Sequence, residues 1–338
     1  MDLSFDGSPT QVLAIEDDSQ VGHARRTAQQ LVQLHRFNDT DAGRVALVVT
    51  ELASNLLKHA GSGELHLRML PRPGATGFEV PAVDRASGFD RDACMIDGFS
   101  TGGTQGIGLG AVARQSDVFD MHTDERGTVL LARIFRSNDR DADIPYGISQ
   151  HSLYNDPRCG DSWFLAFADH RISAMVVDGL GHGVEAEHAA LHGREAFALQ
   201  PFMAPERLME EMHEAMRGTR GGAVAFAQFD DAHDQIRFTG IGNINASLVN
   251  PEKARGLTSH AGIVGAQYRK VQTFDYAGVR GNLLILHSDG LQSRWNLRDY
   301  PGLLQRHPAV IATVLHRDFN RGRDDVTVLV VALETVDD

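Results

Sequence analysis

Four acidic positions, each at the edge of a short apolar run, carry the clearest chemistry in the sequence. They are Asp161 in CGDSW, Asp178 in AMVVDGLGHG, Asp289 in LLILHSDGL, and the Asp324-Asp325 pair before VTVLVVAL. Strand ends can gather carboxylates from distant parts of a chain. Carboxylates at contact distance repel, and one or more would stay protonated. Hard divalent cations remove that conflict, and oxygen-only ligands suit Mg²⁺ or Mn²⁺ rather than zinc. Two such ions can activate a water and hold a phosphoryl group for in-line attack. The C-terminal half therefore reads as a metal-dependent phosphatase.

Asp-Gly is a common turn dipeptide, and this chain also has it at Asp6 and Asp97, where no strand-like run precedes it. Those two serve as internal controls, since Asp178 and Asp289 each end such a run. His182 within DGLGHG is either a general acid or a loop histidine that packs or stays solvated. His188 and His192 share a helix face, but no acidic third ligand is identifiable beside them.

A second constellation lies in TELASNLLKHAG, where Glu51 and Asn55 stand one helical turn apart, with Lys58 and His59 extending the face. Asn can bind Mg²⁺ through its side-chain oxygen, and Glu can orient or deprotonate a nucleophile. A solvated helix surface is the plainer alternative. Downstream, VDRASGF offers Asp84 at a strand end, able to accept from an adenine amino group. STGGTQGIGLG is a glycine loop whose N–H groups could wrap phosphates before a helix at Ala111. A Rossmann reading fails, because no strand directly precedes the loop and the acidic residue comes before it.

Positioning these groups requires regular elements on both sides of a polar stretch, RSNDRDADIPYG. Before it, Ser19 is a cap candidate for a helix over residues 19–37, with Val21, Ala24, Ala28, Leu31 and Val32 near helical spacing. A second helix is expected over 40–60, stopped by Gly61. Strands are expected at 64–70, 77–83, 118–122 and 128–134. After the stretch, strands are expected at 162–168, 172–177, 223–229, 235–240, 245–249, 270–276, 283–287 and 327–333. Helices are expected at 184–199 and from Pro205 to Gly218, the latter with a Met209, Met212 and Met216 stripe suited to core packing. The fold class is α+β: an N-terminal α/β sandwich, then a β-sandwich flanked by helices. The expected domains are 1–136 and 147–338, with a linker over 137–146.

Length and charge narrow the rest. A chain of 338 residues suits two domains. A formal charge of −13 argues against a nucleic-acid partner. No apolar run is long enough for a membrane span, and the N-terminus has no signal-like pattern, so no membrane partner and a cytoplasmic location are expected. Cys94 and Cys159 give neither a disulfide framework nor zinc spacing.

The motifs in series carry a resemblance. Gly-Asp before a strand, strand-Asp-Gly-x-Gly-x-Gly-helix, Gly-x-Gly-Asn, strand-Ser-Asp-Gly and Asp-Asp-strand, over residues 147–333, resemble the SpoIIE-type branch of the metal-dependent (PPM) serine/threonine phosphatases. GIGNINASLV and SHAGIVG resemble RsbX-like members in particular. The resemblance implies that Asp178 bridges both metals and that the Gly179 carbonyl binds one. It further implies that Asp289 and Asp324 complete the second metal site, and that Asp161 holds a metal-bound water. Asp325 is the alternative member of the final pair, one ligating while the other caps the turn.

The segments over residues 12–134 resemble the GHKL ATP-binding fold of RsbT- and RsbW-like serine/threonine kinases. That resemblance implies Glu51 as base, Asn55 as Mg²⁺ ligand, Asp84 as adenine contact, Gly88 beside the nucleotide, and Gly106, Gly108 and Gly110 in a phosphate lid. Its usual Asp-x-Gly-x-Gly motif reads Asp84-Arg-Ala-Ser-Gly88 here. Ala86 restricts the backbone, and Pro81 is expected to interrupt the preceding strand. The implied cofactors are Mn²⁺ or Mg²⁺ and ATP with Mg²⁺. The implied partner is a phosphorylated protein, a STAS-domain antagonist or stressosome-like protein, and a homodimer is compatible with this. The alternative is a phosphatase with a non-catalytic N-terminal docking module.

Overall fold

The computed structural model describes residues 3–5, 10–72, 75–88, 108–136 and 143–334. Asp6, Cys94, Asp97, Gly106 and residues 137–142 of the expected linker lie outside them. Inter-residue contacts divide the chain into two units. One holds the described residues of Thr10–Asp143 with Tyr300–Thr313, and the other those of Met1–Pro9, Ile144–Asp299 and Val314–Asp338.

The first unit is built on five antiparallel strands: β2 (Gln11–Ile15), β3 (Gly63–Arg72), β4 (Ala75–Val83), β5 (Val118–Asp124) and β6 (Gly127–Phe135), in the order β2-β3-β4-β6-β5. Helices α1 (Asp18–Leu34) and α2 (Asp39–Asn55) cover it. Ala24, Ala28 and Val32 of α1 and Val45, Val48, Val49 and Leu52 of α2 share one core with Leu65, Leu67, Phe78 and Val80. The helical periodicity seen in the sequence is this buried stripe.

Asp17, not Ser19, caps α1. Its carboxylate accepts from Ser19 N and Gln20 N, and the Gln20 side chain returns to the cap backbone. A capping box needs its Gln at the third helical position, and only Asp17 has one there. The second helix stays α-helical to Asn55, loosens into a π turn over Leu56–Ala60, and stops at Gly61 with φ 77°.

Pro81 does not end its strand. It pairs with Leu131 of β6, while the β3–β4 ladder skips from Leu65↔Ala82 to Arg68↔Glu79. The missing N–H weakens one side of the ladder and leaves the other intact. Glu79 lies buried between Arg68 and Arg133, donating no proton and accepting from both guanidiniums. Burial opposes its charge, but the two arginines outweigh burial and hold its carboxyl below the usual range. Tyr300–Thr313 joins this unit through Asp120, which accepts from His307 N (2.6 Å) and Arg306 Nη1 (3.1 Å).

The second unit is a double sheet. Six antiparallel strands run in the order β1 (Leu3–Phe5), β8 (Asp161–Ala168), β9 (Arg171–Gly179), β10 (Gly222–Asp230), β11 (Gln235–Ile241), β16 (Thr273–Ala277). Five more run in the order β13 (Ala254–Gly256), β12 (Asn245–Val249), β17 (Leu283–His287), β18 (Val326–Ala332), β7 (Tyr146–His151). β17 and β18 pack against β9 and β8. A small hairpin joins β14 (Gly262–Ile263) to β15 (Gln267–Tyr268). Helices α4 (Val184–Leu199) and α5 (Pro205–Met216) bury Phe197, Met209, Met212 and Met216 with Phe164, Met175 and Phe226 of the larger sheet. The methionine stripe is core.

Two further helices are α3 (Gly108–Gln115), which begins before Ala111, and α6 (Pro308–Phe319). No helix among the described residues is long and apolar enough to cross a membrane.

Candidate active site: carboxylates gathered at strand ends

Asp161 opens β8, and Asp178 is the penultimate residue of β9. The antiparallel register sets them directly opposite each other. Directly opposed residues project on the same face with Cβ atoms roughly 4.5–5.5 Å apart, where like charges destabilise a sheet. Beyond Asp178, the next strand offers only Ala223 and Gly222. Asp289 follows the end of β17 and Asp324 precedes the start of β18, both on the neighbouring sheet.

The electrostatics join these positions. Burial, then the charges of Asp161, Asp289, Asp324 and Asp325, push the Asp178 carboxyl up to about 9. Burial pushes Asp161 up to about 7; the Ser288 hydroxyl opposes the shift, and Asp325 and Asp324 add to it. Asp324 is raised by burial and then by Asp289 and Asp325. Among the described residues, no three of these carboxylates have oxygens all within 4.8 Å of one another, so the cluster is open. Its donors are all oxygen, and its negative charge is uncompensated by any arginine or lysine among those shifts. That donor chemistry fits hard divalent cations.

The terminal pair divides its work. Asp325 is buried and accepts from Leu153 N (2.6 Å) through Oδ1 and from Gly160 N (2.5 Å) through Oδ2. Asp324 Oδ1 accepts from Asp325 N (2.9 Å), and its carboxylate stands in the field of Asp289. Asp325 therefore clasps the loops while Asp324 faces the cluster.

Gly179 allows the turn into α4 to close on itself. A Cβ there would lie 2.2 Å from Ala186 O. Gly181 (φ 88°) and Gly183 (φ 78°) take left-handed conformations that carry the loop back to the helix. His182, between them, is exposed and close enough to Asp324 to favour its ionised form.

Three supporting side chains escaped sequence reasoning. Ser288 Oγ donates to Asp161 Oδ2 (2.6 Å) and accepts from Thr327 N (3.0 Å). Gln150 Nε2 donates to Asp161 O (2.7 Å), and Asn243 Nδ2 donates to Asp289 Oδ2 (2.6 Å). Asn243 lies inside the GIGNINASLV motif, and Ser288 precedes Asp289, so proximity in sequence was the available signal. His287 fixes Ser288 from behind: its Nδ1 bonds Ser288 O (2.8 Å) and its Nε2 accepts from Trp295 Nε1 (3.1 Å). Burial first, then Arg321, lowers the His287 pKa to about 4, so this ring is neutral. Cys159 is buried nearby, and burial, Asp161 and Asp325 raise its thiol, which rules it out as a thiolate nucleophile. His188 and His192 approach each other at 2.9 Å, with no third ligand joining them among the described residues.

In the other unit, Glu51 and Asn55 face the start of α3. A Cβ on Gly108 would sit 3.4 Å from both Asn55 Oδ1 and Glu51 Oε2. Asn55 Nδ2 is buried without a hydrogen-bond partner among the described residues. The orphaned Nδ2 is a donor and suits a phosphate oxygen, while Oδ1 and the neighbouring Glu51 carboxylate are the oxygens a cation would use. Gly110 lies in the first turn of α3. Asp84 Oδ1 accepts from Ala86 N (3.0 Å) and Thr128 N (3.1 Å), closing a turn against β6. Gly88 abuts the β5–β6 hairpin, where a Cβ would meet Asp124 O at 2.5 Å. Lys58 and His59 are exposed on the π turn.

Carboxylates mounted on the ends of a double antiparallel sheet define a PPM-type phosphatase unit, and the five-stranded unit with its Glu–Asn helix face has the layout of a histidine kinase-like ATPase. Comparison with known proteins agrees. The family described as "Histidine kinase-like ATPase domain" matches residues 15–134, and "Stage II sporulation protein E (SpoIIE)" matches residues 168–334. The serine/threonine-protein kinase RsbT of Bacillus subtilis is 32% identical over 101 residues, 30% of this chain and 76% of RsbT. The phosphoserine phosphatase RsbX of the same organism is 24% identical over 174 residues, 51% of this chain and 85% of RsbX. A solved chain from the bacterial stressosome, described as a modular system adapted to control secondary messenger signalling, shares the fold with TM-score 0.52 and 24% identity, covering 56% of this chain and 98% of that one. The chain belongs to the histidine kinase-like ATPase family through its N-terminal region, and its C-terminal region is a SpoIIE-type member of the metal-dependent PPM serine/threonine phosphatases.

Proposed function

We propose that the C-terminal region removes phosphate from phosphoserine or phosphothreonine on a protein of a bacterial partner-switching pathway, a STAS-domain antagonist or stressosome-like protein. The observation that carries this reading is the direct opposition of Asp161 and Asp178 within one ladder. Two carboxyl groups are buried face to face there, and ionising both has no benefit unless cations occupy the site. Asp178, the Gly179 carbonyl, Asp289 and Asp324 would hold two Mn²⁺ or Mg²⁺ ions. When bound, such ions supply an activated water and neutralise phosphoryl charge. Asp161, steadied by Ser288, orients water beside the cluster. Leu180 and Val184, 43% and 61% exposed on the rim of the same loop, offer apolar contact to a protein substrate.

The test is phosphate release from a phosphoprotein with Mn²⁺. Chelator and Asp178→Asn should each lower the rate by orders of magnitude, and undiminished turnover under either would reject the mechanism.

For the N-terminal region we infer ATP binding with Mg²⁺, Asn55 holding the cation, Glu51 as base, Gly108 and Gly110 by the phosphates, and Asp84 and Gly88 by the base. The buried, unpartnered Asn55 Nδ2 is a donor that would meet a phosphate oxygen, leaving Oδ1 for the cation. The engagement of Asp84 Oδ1 with Ala86 and Thr128 supports a second reading, a docking module without kinase activity. Calorimetry separates them: micromolar ATP binding lost in Asn55→Ala excludes the pure docking module. Functional domains over 1–136 and 147–338, and a cytoplasmic location, complete the proposal.

A further inference from the structure

The loops that carry Asp289 and Asp324 also carry three guanidinium groups. Arg294 follows Asp289, while Arg321 and Arg323 precede Asp324. The loops are fastened together: Arg321 N donates to Gly290 O and Gln292 N to Phe319 O, both at 2.9 Å, and Leu291 bridges Asn320. Gln292, Ser293, Arg294, Arg321 and Arg323 line an open groove of about 410 Å³. All three arginines are exposed, and among the described residues none makes an ion pair or side-chain hydrogen bond. The chain has 45 acidic residues against 32 Lys and Arg, so partners are not scarce. Three like charges collected on two tethered loops repel one another and add nothing to folding. They do create a local positive field beside a site built for an anionic substrate.

We propose that this groove is an anion subsite of the phosphatase that takes acidic side chains flanking the phosphorylated residue of the protein substrate. The inference deepens the phosphatase reading and rests on it. The phosphoryl group itself belongs with the carboxylate cluster and its cations. The arginines stand outside that cluster, dispersed along an open groove. A guanidinium presents a planar fork matched to a carboxylate, so several forks in a row read a run of Asp or Glu. The arrangement would favour acidic sequence around the scissile phosphate without touching the chemistry.

The experiment uses the full chain with Mn²⁺ and two phosphoserine peptides, one with Glu and one with Ala at the flanking positions, plus para-nitrophenyl phosphate. The wild-type protein should show a lower KM for the Glu-flanked peptide. Arg294→Gln combined with Arg321→Gln should raise that KM about three- to tenfold at low salt with kcat held, since each exposed pair is worth a small factor. The Ala-flanked peptide and para-nitrophenyl phosphate should be unaffected, and added salt should shrink the difference. Equal KM for both peptides in the wild type would overturn the proposal. So would a variant that raises KM for all three substrates alike, because the guanidiniums would then be holding the phosphoryl group. A separate measurement isolates the groove from the reaction: fluorescence anisotropy of a labelled, unphosphorylated Glu-rich peptide. Binding weakened by the double variant supports the groove even where no substrate is hydrolysed, an outcome that would sink the phosphatase reading alone. Absence of wild-type binding together with absence of any flank preference rejects the groove.

Discussion

Asp161 shows how a single carboxylate is prepared by its neighbours. It is 3% exposed, opposed by Asp178, and steadied by the Ser288 hydroxyl. The aspartates were legible in the sequence because each sits where an apolar run stops. Ser288 was not, because a hydroxyl acquires its role only when the distant carboxylate it meets is known. The same holds for Gln150, whose amide reaches Asp161 O across the sheets. Ser288→Ala removes a hydrogen bond to a group that must ionise, an interaction worth about 1.5–3 kcal/mol. The expected result is Mn²⁺ activation weakened by roughly ten- to a hundredfold, with the fold intact by circular dichroism. A Mn²⁺ titration of phosphate release reads it; unchanged activation would assign Ser288 to packing alone.

Elements were the more legible level, and their failures are instructive. α4 falls on the expected residues, 184–199, because its glycine-to-apolar boundary is sharp. α6 was missed, since PAVIATVLH is rich in β-branched residues and its apolar face is nearly continuous. β1 and β7 were missed because three- and six-residue strands borrow their stability from the sheets they join. The Asp17 cap shows the same limit: two neighbouring residues can cap, and only the partner at the third helical position decides.

The β9–α4 junction makes a prediction at this scale. Gly179→Ala would place a methyl 2.2 Å from Ala186 O, whereas Gly183→Ala meets nothing within 4 Å but must hold φ 78°. Gly179→Ala should cost about 1–3 kcal/mol or more as overpacking, and Gly183→Ala about 1–2 kcal/mol as left-handed strain. Urea unfolding of the two variants measures the difference. Equal and negligible costs would mean that the junction is free to shift.

At the scale of the whole molecule, the site opposes the fold. Asp178 and Asp161 titrate in the folded chain near 9 and 7, both above the 3.8 of an unperturbed aspartate. Their protonated forms contribute stability that is fully present below pH 3.8 and is lost as pH rises through the folded values. The buried histidine works the other way. His287, lowered to about 4 from 6.5, destabilises the fold only as pH falls below 6.5. The window from pH 6.5 to 9 therefore isolates the carboxylates. In chelator, stability should decline across it with a slope of up to about 1.4 kcal/mol per pH unit for each proton lost. Saturating Mn²⁺ should abolish the decline, because the cations replace the protons and stabilise by mass action. Asp178→Asn removes a carboxyl that must take up a proton to fold at pH 8, so the metal-free variant should be more stable than the parent at that pH while inactive. The chain has two tryptophans, Trp163 and Trp295, both in the unit that holds the site. Their fluorescence during urea unfolding thus reports on the relevant core. A flat profile from pH 6.5 to 9, or an asparagine variant weaker than the parent without metal, would show that these carboxylates do not share one buried field. The proposed cation centre would then lose its physical basis.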